Sequence, residues 1–254
     1  MRRRGACERG QVPRFLQKTL STKLKRIVKP ELLDELPPDD PRALRSRKDL
    51  RRVNRLMRHA RIITEHQATL TPKPAGGRIV ELGAGDGTFL LSVAQRLAPR
   101  WPAMKAVLVD QQSLVDAETR AGFHALGWEV DTVKADVFDW LRSESSGGNQ
   151  VIVANLFLHH FSDQRLSGLL HHAAAKARLF VACEPRRTLL PLTVSRLLGL
   201  IGCNSVTRHD AVISVRAGFN GSEVSALWPE SGTWRLSERP TGIFSHIFVA
   251  ARQS

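Results

Sequence analysis

Residues 78–91 read RIVELGAGDGTFLL, with Gly83, Gly85 and Gly87 following a β-branched, apolar run and preceding an apolar-periodic one. That spacing marks a turn handing a strand over to a helix. Glycine lets the backbone bend sharply there and approach a ligand more closely than any Cβ would permit, so the stretch predicts a site for a nucleotide-like cofactor. The order is G-x-G-x-G with Glu81 two residues upstream; a dinucleotide fingerprint would need glycine at 88, where Thr88 stands, which argues against NAD or FAD. A second chemical signal is NQVIVANLFLHHF at 149–161, with Asn155, His159 and His160 at its end. Imidazole titrates near neutral pH and is the natural acceptor for a hydroxyl proton. His209, beside Asp210 in VTRHDAVISVRAGF, offers a third imidazole with a carboxylate to orient it. Adjacent positions on a helix diverge, however, and the pair reads equally as a helix-start cap.

These residues need a scaffold, and from 78 onward strand and helix patterns alternate, which predicts an α/β domain with a parallel sheet covered on both faces. Strands are expected at 78–83, 105–109, 129–133, 150–155 and 178–183, and helices near 87–98, 113–126, 137–143 and 163–176. WRLSERP at 234–240 and FSHIFVAAR at 244–252 read as two terminal strands joined by a turn at Thr241 and Gly242. The domain thus spans 78–254, with an insertion at about 185–233. Its helix-like stretch 188–201, with Phe219, Leu227 and Trp228, supplies apolar surface for an acceptor pocket, most of it expected in the core. Before the sheet, residues 42–70 predict one helical segment of a cap spanning 42–77, with Leu44, Leu50, Val53, Leu56, Met57, Ala60 and Ile63 on one face. LPPDDP at 36–41 breaks helix and closes a leader and linker covering 1–41.

At 254 residues and 42% hydrophobic content the chain can bury a substantial core, which excludes a disordered binder. Cys7, Cys183 and Cys203 are odd in number and show no C-x-x-C spacing, so neither a disulfide framework nor a metal site is expected, and a reducing cytoplasm fits best. The longest apolar stretch, 188–203, contains Pro191 and Arg196 and falls short of the roughly 20 residues that span a bilayer. Charge is uneven: residues 1–61 hold 19 Lys and Arg against 7 Asp and Glu, and residues 62–254 hold 19 against 17. Within the leader, Val12, Phe15, Leu16, Leu20, Leu24, Ile27 and Val28 recur at helical spacing among basic residues. This predicts a basic amphipathic helix, read as a contact for anionic membrane surface or nucleic acid, or as a disordered or transit-like leader.

The stretch E-L-G-A-G-D-G at 81–87 resembles motif I of the class I S-adenosylmethionine-dependent methyltransferases, and KAVLVD at 105–110 and TVKAD at 132–136 resemble the family's next two strands, each ending in an acid. The resemblance implies a doubly wound, mostly parallel seven-stranded sheet of Rossmann-like methyltransferase fold, its terminal strand antiparallel, and S-adenosyl-L-methionine as cofactor. It implies Asp110 on the ribose hydroxyls, Asp136 beside the adenine amino group, and Glu81, Gly83, Gly85 and Gly87 facing the methionine part. Either aspartate alone reads equally as a helix N-cap. Strands of such a sheet deliver their carboxyl ends to the ligand crevice, which brings Asn155, His159 and His160 near the transferred methyl. Asn155 is followed by Leu156 and Phe157, not by the Pro-Pro-aromatic pattern of the family's amino-group enzymes, whereas L-H-H-F resembles its small-molecule branch in quinone and polyketide biosynthesis.

The expected activity is therefore methyl transfer to oxygen or carbon of a small, hydrophobic phenolic, quinone-like or polyketide acceptor, with His159, His160 or His209 as base. An RNA methyltransferase using the basic arm, or a non-catalytic methyltransferase-like subunit, is the alternative. His246 is expected to be structural; Glu184, Arg186 and Arg187, after the fifth strand, read either as contacts for a polar substituent of the substrate or, more commonly, as solvated loop charges. The expected location is cytoplasmic, with peripheral membrane contact through the leader.

Overall fold

The computed structural model describes residues 24–70, 77–144, 149–229 and 231–253. Its first helices are α1 (Leu32–Glu35), α2 (Pro41–Met57) and α3 (His59–Leu70). Then come β1 (Arg78–Leu82), α4 (Thr88–Leu97), β2 (Lys105–Asp110), α5 (Ala117–Ala125), β3 (Glu129–Lys134), α6 (Val137–Ser143), β4 (Gln150–Asn155), α7 (Asp163–Lys176) and β5 (Ala177–Pro185). The insertion holds α8 (Leu189–Arg196) and α9 (Ser205–Ala217), and β6 (Trp234–Thr241) and β7 (Ser245–Arg252) end the chain. The strand order is β3-β2-β1-β4-β5-β7-β6. Strands β1 to β5 pair in parallel, and β7 runs antiparallel to both β5 and β6. The sheet is thus the expected one, including the antiparallel insertion of the last strand.

Central β4 is buried at every position while edge strand β3 alternates, as strands covered on two faces and at an edge should. One face of the sheet buries Leu82, Ile152, Ala154, Phe180 and Phe248 with α6 and α7; the other buries Val151, Val153 and Val249 with Ile63 of α3, Leu90 of α4 and Phe123 of α5. Phe219 and Trp228 lie buried in the first of these cores.

The segment expected as one helix is two. Pro41 and the Asp40 carboxylate, which accepts from Arg42 N, start α2, and Arg58 at φ 58° ends it in a left-handed C-cap before α3 begins. Leu44 and Leu56 are exposed, so the cap does not bury one continuous stripe. It leans on the insertion through polar pairs: Ser46 Oγ to Thr207 Oγ1 at 2.9 Å, and Asp49 accepting from Asn204 N at 2.8 Å. Asn204 caps α9, which leaves His209 and Asp210 inside that helix and not at its start. No helix among the described residues is long and apolar enough to cross a membrane.

Of the expected basic amphipathic helix, residues 12–23 lie outside the described residues, and Leu24–Val28 are not helical. They form a strap against the domain. Arg26 donates to Ala217 O at 2.8 Å and Phe161 O at 2.9 Å, pairs with Asp163 at 2.6 Å, and lies 4.5 Å from the Phe219 ring centroid. A fixed guanidinium whose donors all find acceptors suits a bound strap better than a helix free to slide.

The terminal hairpin is tied to the insertion by Glu238, fully buried, which accepts from His246 Nε2 at 2.8 Å and from the amides of Val224 and Ser225 at 3.1 and 2.7 Å. His246 is structural, as expected. Burial raises the Glu238 pKa, but His246 and Ser225 outweigh it and hold the carboxyl below its usual range. Such a group contributes stability above the unfolded carboxyl pKa and loses it as pH falls through the lower folded value. Glu238→Gln should therefore cost about 1–3 kcal/mol at pH 7. Urea unfolding should show wild type and variant converging below about pH 4; a gap that stays constant into acid would refute the assignment.

Candidate active site

The glycine turn is built to leave room. Gly83 N and Ala84 N donate to Val109 O at 2.9 and 3.1 Å, folding the turn against β2. Gly83 has φ +70°, and a Cβ there would lie 2.2 Å from the Phe157 ring; Gly85 has φ +55°, and a Cβ there would meet nothing within 4 Å. The first glycine permits close packing and the second opens onto space for a ligand. Gly85 N and Gln112 N both donate to Asp110, each at 2.8 Å. Asp86 takes the amide and hydroxyl of Thr88 and is gripped by Arg51 of α2 at 2.6 Å. A cleft of about 50 Å³ opens between Gly85, Asp110, Gln112 and Thr132.

Glu81 lies beneath this turn, buried, with Oε2 lacking any hydrogen-bond partner. Burial first, and then the charges of Asp86 and Asp110, push its pKa well above the usual carboxylate value. A buried, partnerless carboxyl oxygen is costly unless a donor or cation arrives. The open position at Gly85 and the unmatched Glu81 together fit the cationic methionine end of S-adenosylmethionine, and Asp110 beside the cleft fits its ribose. Asp136 caps α6 through Phe138 N at 2.8 Å and accepts from Gln111 Nε2 at 2.9 Å.

At the end of β4 the chain turns abruptly. Asn155 is buried with Oδ1 lacking a hydrogen bond of ordinary geometry, and Leu156 adopts φ 53°, a left-handed conformation uncommon outside glycine. That kink gathers three successive amides, of Phe157, Leu158 and His159, onto the carboxylate of Glu184 at 3.0, 2.9 and 3.4 Å. The same carboxylate meets His159 Nδ1 at 2.7 Å. Burial raises the Glu184 pKa, but His159 and the amides outweigh it and keep the group ionised. On the other side of the ring, His159 Nε2 lies 3.2 Å from Glu31 Oε1, and His160 Nε2 lies 3.5 Å from Glu31 Oε2. His160 Nδ1 donates to Phe157 O at 2.9 Å.

These contacts set the charges. Burial and mutual repulsion lower the pKa of His159, but Glu184 and Glu31 outweigh both and raise it. Burial also opposes His160, yet Glu31 and Asp34 raise it to about 9. Glu31 is driven well below its usual value because the two imidazoles overcome the penalty of burial. His59, buried behind β4 with Nε2 2.8 Å from Ser245 Oγ, goes the other way: burial lowers it to about 4 against the pull of Asn155 and Glu184.

The structure thus places Glu81, Gly83, Gly85, Gly87 and Asp110 at the ends of β1 and β2 and the turn after β1, and Asn155, His159 and His160 at the end of the neighbouring strand β4. It does not bring His209 to them. That ring is bonded to Asp210 at 3.0 Å, a pairing the helical spacing had disfavoured, and lines a separate cavity of about 320 Å³ with Ile27, Val212 and Arg216. Asp210 itself caps α1 from across the fold, accepting from Leu32 N and Leu33 N at 2.9 and 3.0 Å. Glu184 and Arg187 are not solvated charges. Arg187 is buried, donating to Leu24 O at 2.7 Å and pairing with Glu223. The rule that strand ends face the ligand could have flagged Glu184. Nothing local marks Glu31, which reaches His159 only through tertiary folding.

No family model matches this chain. Among curated proteins it is 23% identical over 162 residues to the O-methyltransferase xanE of Aspergillus fumigatus, an alignment covering 63% of this chain and 35% of that protein. Among solved structures it is similar to an O-methyltransferase family protein from Burkholderia thailandensis, with TM-score 0.55 and 18% identity over 85% of this chain and 61% of that one. It is likewise similar to the mitomycin 7-O-methyltransferase MmcR, with TM-score 0.54 and 18% identity over 87% and 60%. The fold is that of the class I S-adenosylmethionine-dependent methyltransferases. Within that fold the chain resembles O-methyltransferases, and it spans 35% of the length of the curated relative it matches.

Asp110→Ala removes a charged acceptor at the cleft and also releases Gly85. Loss of a charged hydrogen bond costs about 1.5–3 kcal/mol, so calorimetry should show S-adenosylmethionine binding weakened by roughly one to two orders of magnitude. Gly85→Val should be harsher, since a branched side chain at φ +55° is strained and fills the open space. Unchanged affinity in a folded Asp110→Ala protein would exclude the ribose role.

Proposed function

We propose that this chain transfers the methyl group of S-adenosyl-L-methionine to a hydroxyl of a small, hydrophobic phenolic or quinone-derived acceptor, with His159 as general base and Glu184 as its orienting partner. The observation that carries the reading is the 2.7 Å contact between His159 Nδ1 and Glu184 at the carboxyl end of β4. A carboxylate fixed by three amides keeps the proton of a neutral imidazole on Nδ1, which turns the Nε2 lone pair toward an incoming hydroxyl.

The cofactor, when bound, supplies a methyl already activated on a sulfonium, so the protein's work is to position, to exclude water and to remove a proton. Glu81 and the open space at Gly85 would hold the methionine end, and Asp110 the ribose. In the closed arrangement Glu31 occupies Nε2 and, with Glu184, keeps His159 protonated. An imidazolium accepts no proton, so the acceptor hydroxyl must take the place of Glu31. With that carboxylate withdrawn the ring loses one of the two charges that raise its pKa and releases its Nε2 proton to water as the site opens; neutral His159 then takes the hydroxyl proton as the oxygen attacks. His160, anchored to Phe157 O and facing Glu31 and Asp34, belongs to the closure. Oxygen is favoured over carbon as acceptor because a base at this position serves a hydroxyl and because the three relatives named above are O-methyltransferases.

His159→Gln should lower kcat on a phenolic acceptor by about 10²–10⁴, with S-adenosylmethionine affinity by calorimetry nearly intact. Glu184→Gln should share much of that loss, and His209→Gln should retain full turnover. Labelled methyl appearing in RNA but in no phenolic acceptor, with steep salt dependence, would overturn the small-molecule reading; full turnover by His159→Gln would remove the base.

A further inference from the structure

The contact between the strap and the end of β4 has the form of a metal site. The donor atoms of Glu31, His159 and His160 all lie within 4.8 Å of one another. Glu31 is 3.2 Å from His159 Nε2 and 3.5 Å from His160 Nε2. Ligand atoms at about 2.1 Å from a tetrahedral zinc are about 3.4 Å apart, whereas a charged hydrogen bond contracts to about 2.7–2.9 Å. The His159–Glu184 contact in the same cluster does contract, to 2.7 Å, while the two contacts to Glu31 do not.

The outer partners point the same way. A metal-binding imidazole typically donates its other N–H to a carboxylate or carbonyl, which fixes the ring and turns its lone pair to the metal. His159 has Glu184 on Nδ1 and His160 has Phe157 O on Nδ1, so both Nε2 atoms converge on Glu31. Ser214 donates its hydroxyl to Glu31 Oε1. His159 is buried, but His160 is 23% exposed and Asp34 63% exposed, which leaves an entry path on one side. Asp34 Oδ2, 3.6 Å from His160 Nε2, stands near the position that a fourth ligand or a water would fill.

We propose that Glu31, His159 and His160 bind one divalent transition metal of the zinc class, which closes the segment Leu24–Glu35 over the end of β4. Two imidazoles and a carboxylate select zinc, cobalt, nickel or copper over magnesium and calcium. Cysteine spacing gives no hint of the site, because Glu31 is 128 residues from His159 in sequence. A metal seated there takes the Nε2 lone pair assigned above to the acceptor's proton, making metal and acceptor competitors. That consequence rests on the base reading; the binding itself does not.

The test is titration of the chelator-treated full chain with cobalt(II), followed by zinc competition, with no substrate present. One equivalent should bind with the intense visible absorption of four-coordinate cobalt, be displaced by zinc, and be indifferent to excess magnesium. Glu31→Gln and His160→Gln should each weaken binding about tenfold or more, and Glu184→Gln, through the outer shell, by about 10–100-fold. Zinc should raise the melting temperature of the wild-type chain and leave that of Glu31→Gln unchanged, which separates lost binding from lost folding. Absence of binding, the weak absorption of six-coordinate cobalt, or equal affinity in Glu31→Gln and His160→Gln would each overturn the site. In a separate assay, methyl transfer to a phenolic acceptor that proceeds undiminished with the metal bound would overturn the base reading alone.

Discussion

A buried carboxylate has to be surrounded by donors, and Glu184 meets that requirement in a way that shapes everything around it. Three amides reach it only because Leu156 takes a left-handed conformation at the end of β4, and the kink directs His159 to supply the fourth contact. Removing any one partner leaves charge exposed to a low-dielectric interior, which is far costlier than losing a surface pair. The strained turn, the imidazole orientation and the ionised carboxylate are therefore a single arrangement. That arrangement sits at the carboxyl end of β4, directly after Asn155.

The strap extends the same logic outward. Glu31 tolerates burial because two imidazoles face it, and it is delivered there by contacts that have nothing to do with chemistry: Arg26 among Ala217, Phe161 and Asp163, and Asp210 capping α1. The insertion thereby serves as the bed for the leader, with α9 contributing both Asp210 and Ser214. The two imidazole contacts to Glu31, at 3.2 and 3.5 Å, are longer than the 2.9 and 3.0 Å bonds by which Asp210 holds Leu32 and Leu33, as expected where a ligand or a metal must come between. The two groups of residues differ in this respect: the glycine turn is held mainly by hydrogen bonds within the first two βα units, and the Glu31–His159–Glu184 cluster is assembled from elements far apart in the chain.

That difference explains what could be read in advance. The periodicity of apolar residues placed all seven strands within about two residues at either end, and the turn E-L-G-A-G-D-G placed the cofactor half, because both depend on interactions between near neighbours. The helical cap was read as one element because the left-handed stop at Arg58 carries no glycine or asparagine to announce it. His209 was weighed as a base because a histidine beside an aspartate looks alike in a site and on an outer surface; only the packing of α9 decides which.

The sequence by itself determined the sheet, its order of strands and helices, and the turn that makes room for a cofactor, since hydrophobic period and backbone freedom are local properties. Tertiary structure alone decided that Glu184 is buried and not solvated, that His159 lies between two carboxylates whereas His209 faces one, and that Glu31 from the leader completes the cluster. The physical reason is that the charge state of an ionisable group depends on which groups surround it after folding, and neither its own identity nor its neighbours in sequence carry that information.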